Sequence, residues 1–263
     1  MATAASNPGL WLAPRRWWSA AVGSLSTLRG KQKHPFDRAH GVDTGGLIYA
    51  DPAAEGHAGD RHNAGYYATA PSLFHGAIAL WRETLRGSGY ALEDYTLVDI
   101  GCGKGRVLML ATEYGFREIV GVELNPPLAR VARKNLRKWM IRGRRVPQVS
   151  ILRPGSPVPR LRIIEGDALS LALPDGPVAL FYFNSFEREM TEMWLAWLDK
   201  IARGRTAPLD LIYIHPEFDA LVRQVPGMRA IAEADIPFSE EDAGADAFGV
   251  DNDRCAVYRL SQS

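Results

Sequence analysis

The segment Val98-Asp-Ile-Gly-Cys-Gly-Lys-Gly-Arg106 concentrates residues that could do chemistry. A short β-branched run entering Gly101, Gly103 and Gly105 brings backbone to a ligand's edge, because no Cβ stands in the way. In an α/β sheet such a turn lies outside the carboxyl ends of the strands, where ligands sit. Three acids fall where an adenosine ligand with a positive charge needs them. Asp99 ends the first run, close to where a cationic amino-acid tail would lie. Glu123 comes twenty-two residues after Gly101 and offers two oxygens to a pair of ribose hydroxyls. Asp167, in Glu165-Gly-Asp-Ala168, is set to accept from an adenine amino group. Acids at three successive strand ends suit a cation better than a pyrophosphate, which wants backbone N–H groups and bases. A glycine turn alone also serves nicotinamide and flavin sites. Here, however, Arg106 stands where the dinucleotide fingerprint has its third glycine. Lys104 is followed by Gly105 and not by the Ser or Thr of a phosphate loop.

A second group follows the apolar run Val178 to Phe183. The amide oxygen of Asn184 can accept N–H bonds, and Phe186 can supply a cation–π or stacking wall. Asn184 also reads as a cap for a helix starting near Glu187, and the two roles are compatible. His215, after Ile-Tyr-Ile214, reads as a proton acceptor or as a hydrogen-bonded structural histidine. Tyr66 and Tyr67 read as a cover for a ligand or as packing. His57, Asp60, Arg61 and His62 lie in a Gly-rich loop and read as solvated. No His/Cys cluster has metal-ligand spacing, so no zinc site is expected.

Strands alternating with helices must position these residues. The runs Tyr95–Ile100, Glu118–Glu123, Arg162–Glu165, Val178–Phe183, Leu209–Ile214 and Cys255–Leu260 read as strands. Helices are expected over Ala70–Arg86, Val107–Tyr114, Pro126 to about Ile141 and Glu187–Arg203, with Pro71 suiting a first turn. This alternation calls for a parallel sheet covered on both faces. Residues 1 to about 65 read as loops and short helices, and Gly143–Arg160 as a Pro- and Arg-rich insertion.

The chain has 263 residues, 46% hydrophobic and 23% charged, which excludes wholesale disorder and a fibrous repeat. Thirty-one Lys and Arg balance thirty Asp and Glu, so net charge names no partner. The distribution is polar all the same. Eleven basic and no acidic residues occur from Leu124 to Ile164, and eight acidic and no basic ones from Ile231 to Asp253. The basic stretch reads first as a solvated face, and next as a surface for an acidic protein or for nucleic acid, though no nucleic-acid-binding module accompanies it. Two cysteines, Cys102 and Cys255, fit a reducing cytosol, and no apolar run is long enough to span a membrane. Arg15, Arg16 and the run from Trp17 loosely imitate a signal peptide. Interruption by Ser and Gly favours a surface helix or a leader, with peripheral membrane contact through Trp11, Trp17 and Trp18 as a weaker reading.

Taken together, VDIGCGKGR, GVELN, EGDA and FYFNSF resemble the motifs of class I S-adenosylmethionine-dependent methyltransferases, over about Tyr95 to Leu260. The form D-x-G-x-G-x-G-R with FNSF is similar to the non-SET histone lysine methyltransferases and to bacterial relatives of them. FDRAHGVDTGG (Phe36–Gly46) and Tyr66–Ser72 also look like those bacterial relatives. The resemblance implies an α/β fold with a Rossmann-like seven-stranded methyltransferase sheet, helices on both faces and an antiparallel last strand. It implies a methyltransferase domain over 85–263 after an N-terminal extension, 1–84, that helps cover the site. S-adenosylmethionine is the implied cofactor. Asp99, Gly101, Cys102 and Gly103 would hold its methionine part, Glu123 its ribose with Leu124 beside the adenine, and Asp167 with Ala168 the adenine edge. Asn184, Ser185 and Phe186 would form the catalytic segment beside the sulfonium, Asn184 touching the cofactor as well. Many N-methyltransferases of this family carry Asn/Asp-Pro-Pro-aromatic; here Ser185 replaces proline and the motif is shorter. The expectation is a cytoplasmic enzyme that methylates a nitrogen, first a protein lysine and second a small metabolite. A nicotinamide-dependent oxidoreductase and a non-catalytic cofactor-binding module are the further readings.

Overall fold

A computed structural model of the chain describes residues 33–48, 65–143 and 159–260. Uninterrupted apolar runs build the centre of its main sheet. These are β3 (Thr96–Ile100), β4 (Glu118–Glu123), β6 (Val178–Phe183) and β7 (Leu209–Ile214). Every residue of β3 and β7 is buried, as strands covered on both faces require. With β5 (Arg160–Glu165), β8 (Met228–Pro237) and β9 (Asn252–Leu260) they form seven strands in the order β5-β4-β3-β6-β7-β9-β8. The first five are parallel, and β9 runs antiparallel between β7 and β8. This is the expected Rossmann-like seven-stranded α/β sheet. The chain moves outward from β3 through β4 to β5 and then returns to β6. That reversal opens a crevice at the carboxyl ends of β3 and β6, where Asp99 and Asn184 lie.

Helices α2 (Pro71–Glu83), α3 (Arg106–Ala111) and α4 (Pro126–Gly143) cover one face of the sheet. On the other face α5 (Arg188–Ala202) buries Trp194, Leu195 and Leu198, and the short α6 (Asp219–Val222) adds Val222. Although α2 precedes the 84/85 boundary, its Phe74, Ile78 and Trp81 are wholly buried in the core. The Trp81 indole donates to Asp210 on β7 at 2.9 Å.

β8 is the strand without a legible run. It is an edge strand, mostly exposed, whose alternating alanines and charges give little apolar signal, and its pairing with β9 is irregular between Ala230 and Ala232. Part of the acidic segment that follows is spent on internal contacts. Ser239 caps α7 (Glu240–Ala245), Asp242 accepts from the Ser72 N–H at 2.7 Å, and Asp246 accepts from the Tyr67 hydroxyl at 2.5 Å. On the basic side Arg130, Lys134, Arg137 and Lys138 are exposed on α4, while Arg133 pairs with Glu165 at 2.7 Å. Arg144, Arg145 and Arg153 lie outside the described residues, as do Trp11, Trp17, Trp18 and the His57–His62 loop. Among the described residues no helix is long and apolar enough to cross a membrane, and no cluster of His, Cys, Asp and Glu could hold a metal ion.

Residues 33–48 form a strap across α3 and α4. Its helix α1 (Pro35–His40) stacks Phe36 on Trp139, and Asn135 of α4 exchanges hydrogen bonds with the Asp43 backbone. The strap ends in β1 (Leu47–Ile48), which pairs antiparallel with β2 (Tyr66–Tyr67). His34 caps α1 by accepting from the Phe36 N–H through Nδ1 at 3.2 Å, a role open to the neutral ring alone. Burial, with Arg106 nearby, lowers its pKa to about 4. A histidine depressed in this way contributes stability that is complete above the unfolded value and is lost as pH falls from 6.5 toward 4. The melting temperature of the wild type is therefore expected to fall more between pH 7 and pH 5 than that of His34→Asn, which keeps a capping oxygen but does not titrate. Equal losses would refute the linkage.

Candidate functional site

β3 delivers Asp99 and Ile100 to the sheet edge, and the chain then turns sharply through Gly101, Gly103 and Gly105, all left-handed. Two of these glycines are required by what lies against them. A Cβ on Gly101 would stand 2.5 Å from Ser185 Oγ, and one on Gly103 would stand 2.1 Å from the Tyr66 ring. The turn is thus enclosed by the end of β6 on one side and by β2 on the other. Its amides bond outward: Gly101 and Cys102 donate to the Val122 carbonyl at 3.0 and 2.9 Å, and Gly103 to Glu123 Oε2 at 2.7 Å. Glu123 Oε1 accepts from the Asn125 N–H at 2.8 Å, so its carboxylate stays put while each oxygen keeps a further lone pair.

Asp99 and Glu123 are both buried, and both carboxyls are pushed up, first by desolvation. The proximity of Glu123 raises Asp99 further, well above the usual carboxylate range. Asp99 has no hydrogen-bond partner among the described residues. Two acids brought together this way call for a cation to restore the balance. The Cys102 thiol beside them is also pushed up by burial and by both acids, so it stays protonated and serves as packing.

A small, partly open pocket lies at this edge. Tyr66, Tyr67 and Thr69 form one wall, Asp99, Gly101 and Cys102 the floor, and Phe183, Ser185 and Arg106 the remainder. Cys102 and Gly103 continue toward Glu123. One strand further out, Leu124 follows Glu123, and beyond β5 Asp167 caps a short turn over Ala168–Ser170, accepting from the Leu169 N–H at 2.9 Å. Of the residues expected to hold the cofactor, Asp99, Gly101 and Cys102 line the pocket, Gly103, Glu123, Leu124, Asp167 and Ala168 follow the ends of β3, β4 and β5, and Asn184 follows β6.

The segment after β6 divides. Ser185 donates to the Ile100 carbonyl at 2.6 Å and so ties β6 to β3 across the crevice. Asn184 leaves the strand in left-handed backbone, φ 39°, and its Oδ1 accepts from the buried Tyr213 hydroxyl at 2.7 Å. Burial holds that phenol well above its usual pKa, so it remains a donor and fixes the amide plane. Asn184 is not the cap of α5, whose N-cap is Glu187. Phe186, expected as a wall beside the sulfonium, is not among the residues that line the pocket, and its ring packs against Tyr182 and Trp194 in the core under α5. Burying an aromatic ring between the strand and α5 outweighs leaving it at the edge, and Phe183 supplies the aromatic wall instead.

His215 leaves β7 one step beyond the Phe183–Ile214 pair, in the same register as Asn184 and again with positive φ, 51°. These two are the non-glycine residues with left-handed backbone among the described ones. Such strain collects where a site over-determines the chain. The imidazole Nδ1 lies 2.9 Å from Asp253 on β9.

Sequence reasoning missed Arg106. It marked this position as a departure from the dinucleotide pattern, yet the guanidinium is 3% exposed and reaches the strap. Nε donates to Thr44 Oγ1 at 2.7 Å and Nη1 to the Thr69 carbonyl at 3.1 Å. Asp37 completes the cluster, accepting from the Thr44 hydroxyl and from the Thr44 and Gly45 N–H groups at 2.8 and 2.7 Å. An arginine right after a glycine turn, with an acid and threonines in the extension, was the available signal.

Residues 98–203 match the family model described as a methyltransferase domain. No curated protein matches the chain. Solved structures similar to it include the precorrin-6y C5,15-methyltransferase from Geobacter metallireducens, 18% identical, TM-score 0.42, covering 70% of this chain and 87% of that one. The methyltransferase domain of bacterial CtHen1 is 14% identical, with TM-score 0.45, covering 72% and 99%. The plantazolicin methyltransferase BamL, solved with a triazolic desmethylPZN analogue and SAH, is 10% identical, with TM-score 0.43, covering 72% and 84%.

Proposed function

We propose that this chain, an S-adenosylmethionine-dependent methyltransferase by its domain and the cation-seeking glycine turn at its sheet edge, methylates a nitrogen, with a protein lysine as the acceptor. The residues present fit the cofactor. Asp99 and Glu123 are buried acids lacking a cation, and the glycine cradle is one that side chains would fill. In this reading Asp99, Gly101 and Cys102 hold the methionine end, Gly103 and Glu123 the ribose, and Leu124, Asp167 and Ala168 the adenine. When bound, S-adenosylmethionine supplies an electrophilic methyl group on a sulfonium. The protein's part is alignment and exclusion of water.

The observation that carries the nitrogen assignment is Asn184, whose amide is oriented by Tyr213 at the end of β6. The second lone pair of Oδ1 and the backbone carbonyl are acceptors for the N–H groups of an amine, steering its lone pair toward the methyl. His215, held by Asp253, is the group one strand away able to take the proton an ammonium must lose. The second reading, a metabolite acceptor, is favoured by the wall that β2 builds across the pocket.

The test is transfer of labelled methyl from S-adenosylmethionine into a lysate of the source organism, separated by protease, nuclease and acid solubility. Label in protease-sensitive, acid-insoluble material is the expected result. Acid-soluble label would replace the lysine reading with a metabolite, and nuclease-sensitive label would turn attention to the exposed cations of α4.

A further inference from the structure

Helix α4 carries six basic residues and no acidic one over Pro126–Gly143. Its apolar side, with Ala129, Ala132, Leu136 and Trp139, is buried in the core. Arg130, Lys134, Arg137 and Lys138 are exposed on the other side. At 3.6 residues per turn they fall within one stripe about 100° wide and about 12 Å long. The fold does not neutralise this stripe. Arg130, Lys134 and Arg137 have no ion pair among the described residues, and Lys138 donates to the Gly41 carbonyl, which carries no net charge, at 3.0 Å. Glu165 is taken by Arg133 at 2.7 Å, and Asp43 on the strap by Lys104 at 3.4 Å. Helix α5 is built differently. Arg188 pairs with Glu192 at 3.0 Å, and Asp199 with Arg203, just past the helix end, at 2.5 Å. Like charges four residues apart, as in Arg130, Lys134 and Lys138, weaken a helix, and a partner of opposite charge relieves them.

The make-up of the stripe narrows the partner. A protein interface is built round an apolar core and is poor in lysine, whereas here one exposed apolar side chain, Ile141, adjoins four cations. A membrane surface would take up the apolar side of the helix, which is already buried. A nucleic-acid strand offers one charge per 3.4 Å of duplex axis, so the stripe faces about three or four phosphates, and Arg130 and Arg137 bring the fork that grips a phosphate at two points. We propose that the exposed side of α4 binds the sugar–phosphate backbone of nucleic acid, without regard to base sequence. None of the four cations lines the methyl-transfer pocket. The surface is therefore independent of the acceptor assignment above, and it brings the enzyme to acceptors held on nucleic acid.

Fluorescence anisotropy tests this, with the full chain titrated into a labelled single-stranded RNA and a labelled DNA duplex, both of mixed sequence, at about 50 to 200 mM salt. Wild-type affinity for the duplex is expected to fall with salt along a log–log slope of at least about −3, as four neutralised phosphates require, and less steeply for the single strand. The triple variant Arg130→Gln, Lys134→Gln, Arg137→Gln keeps good helix formers and is expected to melt like the wild type. It should bind at least about tenfold more weakly at about 50 mM salt, with the slope reduced by about 2–3. Replacing the paired Arg188 and Arg203 by Gln should change binding by less than about twofold. Full binding by the triple variant would move the surface off α4 and overturn the proposal. A wild type that binds neither probe up to about 100 μM would overturn it as well. Equal displacement by poly-L-glutamate at matched charge would overturn it in favour of an acidic protein. Each readout is taken without cofactor or methyl acceptor, so failure here leaves the methyl-transfer reading standing.

Discussion

Asn184→Ala is expected to lower methyl transfer by about 10²–10³-fold, the loss typical of removing one preorganised polar contact to the reacting centre. Binding of S-adenosylhomocysteine should change by less than about threefold, because the contact is made to the acceptor in the transition state. Two effects have to be separated. At φ 39° an alanine bears backbone strain of about 1 kcal/mol that has nothing to do with chemistry. Asn184→Gly removes the amide and the strain together, so it should melt above the alanine variant, both having lost the acceptor of the buried Tyr213 hydroxyl, yet stay as slow. The readout is label incorporated from S-adenosylmethionine into the susceptible lysate fraction, with calorimetry for binding. Normal activity in Asn184→Gly would remove the amide from the mechanism and leave the left-handed turn as its sole contribution.

Asp210→Ala carries the largest expected stability cost. The carboxylate is fully buried on β7 and accepts from Arg259 Nε and Nη2 at 2.7 and 2.8 Å and from the Trp81 indole at 2.9 Å. It ties α2 to the sheet and faces Arg259 directly across the β7–β9 ladder. Its loss leaves the Trp81 N–H buried without an acceptor and Arg259 without its counter-charge. Breaking such a pair from one side costs about 3–5 kcal/mol. In a protein of this size each kcal/mol lowers the melting temperature by about 2–4 °C, so a fall of roughly 6–20 °C is expected by calorimetry. Asp210→Asn keeps an acceptor and should lose less. A melting temperature within about 2 °C of the wild type would mean that α2 is held by apolar packing alone.

Much of the fold was readable because the central strands are buried on both faces. Val98-Asp-Ile, Ile119-Val-Gly-Val and Val178 to Phe183 are runs that water cannot accommodate, and their position needs no partner to be guessed. β8 escaped because an edge strand is chosen by the pairing that β9 offers, and its own residues are mostly solvated. The glycine turn and its acids were legible because a close approach leaves a residue type behind. Gly101 and Gly103 are glycines since Ser185 and Tyr66 occupy the space of a Cβ.

Side-chain direction at the sheet edge was decided by packing across distant parts of the chain. Phe186 and Phe183 are the same residue type three positions apart. One is drawn under α5 by Trp194 and the other left at the pocket. Asn184 is oriented by Tyr213 and His215 by Asp253, partners 29 and 38 residues away. Arg106 depends on Thr44 and Thr69, 62 and 37 residues before it. Local pattern reports burial and backbone demand, which are properties of a segment. The pairing of polar groups is a property of what the fold brings within about 3 Å, and no spacing along the chain encodes it.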